Sequence, residues 1–165
     1  MGAGKTTVGR SLAKRLGKAF IDTDLDIEER TGVRVSVIFE IEGEVGFRKR
    51  ESDALSRLVV SENVVLATGG GVILNAANRD LLRSHGCVVY LHARPSDLAK
   101  RLGHDKTRPL LQGIDPLKRL EQLYGIRDPL YREAADIVID TGRQSVSAML
   151  GQLLLRLDSE CKPTQ

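Results

Sequence analysis

Four apolar, β-branched runs recur along the chain, each separated from the next by a longer stretch with helical spacing. They are AFIDTD at 19–24, VVLATGG at 64–70, CVVYLH at 87–92 and DIVIDT at 136–141. Continuous apolar runs, rather than alternating ones, mark strands covered by helices on both faces of a sheet. The intervening stretches supply those helices. Residues 6–16 end at Gly17, suited to a C-terminal cap. Residues 44–60 carry Phe47, Ala54, Leu55 and Leu58 at helical spacing, and 74–84 end near Gly86. Asp115 and Pro116 open a helix with Leu117, Leu120 and Leu123 as its stripe, and 145–157 form the last one. This alternation predicts an α/β fold with a parallel sheet and right-handed crossovers. At 165 residues, one domain over 1–165 is expected.

The stretch GAGKTT at 2–7 matches the end of the phosphate-loop pattern G-x-x-x-x-G-K-[ST]. Gly2, Ala3 and Gly4 let the backbone turn so that N–H groups face phosphate oxygens, and the helix that follows adds its positive end. Lys5 reaches the β- and γ-phosphates, and the Thr6 hydroxyl ligates Mg²⁺, with Thr7 beside it. The strand that normally precedes such a loop has no counterpart, so the sheet is expected to lack a central strand.

DTD at 22–24 places Asp22 and Asp24 at a strand's carboxyl end, where ligands of open α/β sheets bind. Alternation along a strand puts both on one face. One carboxylate can hold a metal's water shell and the other can accept a hydroxyl proton. Helix capping is the plainer use, for which one Asp would suffice. In ATGGG, Gly69, Gly70 and Gly71 exceed what a turn needs and suggest close backbone approach by a ligand. Arg48 in FRKRE, Arg108 in TRPLL and Arg127 in IRDPLY, beside a proline break, are candidate forks for carboxylate or phosphate. Any one alone would be an ordinary surface charge. The polar loop 103–115 around Arg108 suits a mobile lid.

The net charge of +3 is mild and aromatic residues are 4% of the chain, which argues against a nucleic-acid partner. No apolar run reaches membrane-spanning length. Cys87, in an apolar run, and Cys161, in a polar tail, read as unpaired thiols of a reducing cytosol.

GAGKTTVGR, FIDTDLDIE, FRKRE, ATGGGV, RPLL and RDPLYREAAD, in this order, resemble shikimate kinase across nearly the whole chain. The resemblance implies a P-loop three-layer α/β/α fold of the nucleoside-monophosphate-kinase type. It implies ATP- and Mg²⁺-dependent phosphorylation of the 3-hydroxyl of shikimate, in aromatic amino-acid biosynthesis, by a cytoplasmic monomer. By position it assigns Asp24, Arg48, Gly70, Gly71 and Arg127 to shikimate, with Arg48 and Arg127 on its carboxylate and Asp24 on its diol as base. Lys5 and Arg108 neutralise the transferring phosphoryl group, Thr6 holds Mg²⁺, Asp22 acts through the metal's water, and Arg101 and Arg143 lie near the adenine. The family's first strand and first P-loop glycine are not matched. A misplaced start codon or a shortened chain would account for that.

Two other readings compete. One is another small-metabolite kinase of the same fold, such as gluconate or adenylate kinase. The other is a binding protein without turnover: a GTP switch, for which the N-K-x-D motif is absent, or a P-loop relic.

Overall fold

The computed structural model describes residues 2–102, 115–142 and 144–161. Strands and helices alternate in the order α1 (Lys5–Leu16), β1 (Ala19–Asp22), α2 (Thr23–Thr31), α3 (Val35–Leu58), β2 (Val64–Ala67), a 3-10 turn (Val72–Leu74), α4 (Ala76–His85), β3 (Val89–His92), α5 (Pro95–Leu102), α6 (Pro116–Ala134), β4 (Ile137–Asp140) and α7 (Val146–Glu160). All strand pairs are parallel, giving the expected α/β architecture of strands flanked by helices. None of the described helices is long and apolar enough to cross a membrane.

The strands form two separate pairs, β1 with β2 and β3 with β4. Ala19 faces Val64 and Asp22 faces Ala67 in one pair, and Val89 faces Ile137 and His92 faces Asp140 in the other. Helix α1 bridges them. Val8 and Leu12 join Ile137, Ile139, Met149, Leu150 and Leu153 in one core, against which Val65 of β2 and Val89 and Leu91 of β3 also pack. Among the described residues no strand lies between the pairs. That matches the expected lack of a central strand and leaves one backbone edge of β2 and one of β3 without a strand partner. A second core joins Ile27 of α2 to Ile38, Phe47 and Ala54 of α3.

Several expectations need correction. The first strand stops at Asp22, and Thr23 and Asp24 begin a helix. The reason is the cap: the Asp22 carboxylate accepts the Asp24 N–H at 3.1 Å. Asp22 and Asp24 therefore do not alternate along a strand. Helix α3 starts nine residues before the expected 44, and Gly43, at φ 67°, marks a kink in it. Pro129 does not break the chain but sits inside α6. Proline there removes one hydrogen bond and crowds the carbonyl four residues back. That residue is Gly125, whose Cα faces open space.

The cysteines are also corrected. Cys87 and Cys161 are joined in a disulfide with a Cα–Cα separation of 5.6 Å. Cys87 is exposed just ahead of β3 rather than buried within it. The link ties the start of β3 to the end of α7.

Candidate active site

The site is built where α1, α2, α3, α6 and the glycine triplet meet. Helix α1 opens at Gly4, whose φ of 86° suits glycine. Among the described residues no side chain caps this helix, and no acidic residue stands in its first turn. Its positive end therefore suits an anion. The Thr6 hydroxyl donates to Asp22 Oδ2 at 3.0 Å. One Asp22 oxygen thus caps α2, the plainer use weighed for it, while the other holds Thr6. Thr7 is exposed beside Thr6. Arg101 donates to the carbonyls of Thr141 at 2.5 Å and Gly142 at 2.9 Å, and reaches the Gly2 carbonyl at 3.5 Å. It fastens the phosphate loop to the turn after β4. Arg108, Arg143 and the lid segment apart from Asp115 lie outside the described residues.

Asp24 and Glu51 converge on Gly69. A Cβ built on Gly69 would lie 2.9 Å from Asp24 Oδ1 and would collide with Glu51 Oε1. Both of these oxygens are buried without a hydrogen-bond partner among the described residues. Burial pushes the Asp24 carboxyl up from its ordinary value, the Asp22 charge adds to this, and Lys5 opposes it. Burial likewise pushes Glu51 up, against the pull of Arg48. Lys5, Gly69, Gly70 and Arg127 line one cavity of about 140 Å³ that α6 closes with Tyr124 and Tyr131.

Arg48 donates to Glu51 Oε2 at 2.7 Å and to Glu44 Oε1 at 2.9 Å. Its guanidinium occupies the space a Cβ on Gly71 would need. Arg127 is buried and its Nη1 approaches the Gly70 carbonyl at 3.5 Å. The two arginines therefore approach the glycine triplet from different helices. The triplet was expected to give a ligand room. At Gly69 and Gly71 the room is taken by the site's own side chains, which is why glycine is needed there.

Sequence reasoning missed three contributors. Glu51 is 1% exposed and pairs with Arg48 one turn away. Thr23 Oγ1 accepts the Gly69 N–H at 3.1 Å. Tyr131 donates to the Gly70 carbonyl. Spacing could have found two of them, since Glu51 is i+3 from Arg48 and Tyr131 is i+4 from Arg127.

The oxygen set suits Mg²⁺. Thr6 and Asp22 offer hard oxygens beside the phosphate loop, and no cluster of three or more His, Cys, Asp or Glu able to cage a metal exists among the described residues. An ion held by one or two protein oxygens and by substrate phosphates needs no more.

An open phosphate loop facing buried carboxylates and two arginine forks defines a P-loop kinase for a small anionic acceptor that carries a hydroxyl. Known proteins narrow the class. Residues 1–158 match the shikimate kinase family. The chain is 58% identical over 158 residues to a shikimate kinase of Burkholderia lata, covering 96% of this chain and 86% of that protein. It is 55% identical over 166 residues to one from Chromobacterium violaceum, covering 100% and 90%. Its structure is similar to that of Acinetobacter baumannii shikimate kinase in complex with shikimate, with a TM-score of 0.93, 48% identity and coverage of 96% of this chain and 89% of that one. The chain belongs to the shikimate kinase family.

Proposed function

We propose that this chain, acting over 1–165 as one catalytic domain, moves the γ-phosphoryl group of ATP to the 3-hydroxyl of shikimate. The observation that carries the reading is the meeting of Asp24, Arg48 and Arg127 around the glycine triplet, beside the phosphate loop.

Arg127, and Arg48 held by Glu51 and Glu44, bind the acceptor carboxylate as forks. Asp24 accepts a hydrogen bond from the acceptor hydroxyl and then its proton. A carboxyl raised by burial is the better base for this task. The hydroxyl oxygen bonds to the γ-phosphorus as the bond from phosphorus to the β,γ-bridging oxygen breaks, and ADP leaves. Lys5 and the α1 amides hold the phosphate charge, joined by Arg108. Thr6 and Asp22 would hold Mg²⁺, which supplies charge neutralisation on the phosphates when bound. Arg101, with Arg143, borders the adenine end. The reading includes a cytoplasmic monomer.

The test is ADP release in the presence of shikimate, gluconate, AMP or no acceptor, with Mg²⁺. Release dependent on shikimate alone is expected. Equal release with gluconate or AMP, or none with any acceptor, would overturn the reading.

A further inference from the structure

We infer that Tyr131 is a positioning residue of the acceptor site, holding the Gly70 carbonyl so that the backbone of Gly70 and Gly71 stays in place when Arg127 turns to the acceptor.

Gly70 is gripped from helix α6 by two donors one turn apart. The Tyr131 hydroxyl donates to its carbonyl, and Arg127 Nη1 reaches the same oxygen at 3.5 Å. One fork cannot serve the carbonyl and an incoming carboxylate equally well, since bidentate pairing with a carboxylate fixes the guanidinium plane. Tyr131 is the donor that remains. Its own ring is fixed from behind. Tyr90 stacks on it with ring centroids 4.7 Å apart, the Tyr90 hydroxyl donates to Asp128 Oδ1 at 2.9 Å, and Arg132 donates to Asp128 Oδ2 at 2.8 Å. Burial raises the Tyr131 hydroxyl above its ordinary value, so it stays a donor across the neutral range. Below the triplet, Thr23 holds the Gly69 N–H at 3.1 Å. The glycines have no side chains with which to hold themselves, so these two bonds supply the order they lack.

This inference rests on the assignment of Arg127 and the glycine triplet to shikimate. Tyr131→Phe keeps the stacked ring and removes only the hydroxyl. Shikimate KM should rise about five-fold or more, the worth of one hydrogen bond. ATP KM and nucleotide affinity should stay near wild type, and thermal melts should show a folded protein. Arg127→Lys, run beside it, tests the underlying assignment. If Arg127→Lys raises shikimate KM and Tyr131→Phe does not, the inference fails and the site reading stands. If Tyr131→Phe weakens both substrates alike, Tyr131 supports the fold and does not position the acceptor. If Arg127→Lys leaves shikimate KM unchanged, the site reading itself fails.

Discussion

Gly71→Ala isolates one part of the acceptor site. Gly71 has φ −92° and ψ −14°, an ordinary region for alanine, so the substitution adds no backbone strain. Its new methyl group would instead fall on the Arg48 guanidinium. That is the far end of a flexible side chain, so Arg48 must swing out and leave Glu51, which is 1% exposed, without its partner. Breaking a buried pair costs about 3–5 kcal/mol. Two features reduce this: Arg48 is already 21% exposed, and Glu51 is poised by burial to take a proton. A loss of about 2 kcal/mol remains, or roughly 4–8 °C in Tm at this chain length. Losing a charged hydrogen bond to the acceptor, worth about 1.5–3 kcal/mol, should raise shikimate KM about 10- to 150-fold. The folded-state pKa of Glu51 would then lie further above its unfolded value. The stability deficit should therefore shrink as pH is lowered. Scanning calorimetry at several pH values, steady-state kinetics in both substrates and nucleotide titration make the comparison. Wild-type Tm and wild-type shikimate KM in Gly71→Ala would refute the reasoning, because Arg48 would then not depend on the missing Cβ.

Asp24→Asn should abolish turnover yet leave nucleotide binding intact by calorimetry. Since the folded-state pKa of Asp24 is raised, its ionisation costs stability as pH rises through that pKa, and the Asn variant should melt at least as high as wild type near pH 7; a lower Tm, or turnover within a few-fold of wild type, would contradict this. Reducing the Cys87–Cys161 disulfide reopens a loop with a sequence separation of 74, worth on the order of 4 kcal/mol in the loop-entropy account. Melts with and without dithiothreitol should differ by roughly 8–16 °C, and Cys161→Ser should be insensitive to reductant. Adding about ten residues ahead of Met1, an apolar β-branched run that ends in glycine and one further residue, should raise Tm and tighten ATP binding by pairing β2 and β3; equal melts and equal affinity would exclude a strand slot there.

The strands were legible because a strand buried on both faces is written locally, as a run of apolar residues. Their ends were not. Asp22 can finish a strand or cap a helix with the same side chain, and only the fold decides, so Asp24 was placed one element too early. The first half of α3 was missed because Ile41 and Val45 are exposed and Gly43 interrupts the turn, which blurs the helical period. Lys5, Thr6, Arg48, Gly70 and Arg127 were legible as motif residues. Thr23 was not legible, since its contact with the glycine triplet joins separate elements, and Glu51 was overlooked although it stands i+3 from Arg48. The cysteine pairing could not be read from spacing, because it depends on where α7 ends relative to β3.

The two cores bear on how the reaction can be timed. Asp24, Arg48 and Glu51 stand on helices α2 and α3, gathered around Ile27, Ile38, Phe47 and Ala54. Lys5 and Thr6 stand on α1, whose inner face is locked to β4 and α7. The proposed hydroxyl-side residues and the proposed phosphate-side residues thus stand on helices that fill different cores, and Asp22 ties the two, capping α2 while accepting from Thr6 of α1. A shift of one set of helices against the other would change the distance between hydroxyl and phosphorus, and it would be felt at the Thr6–Asp22 bond.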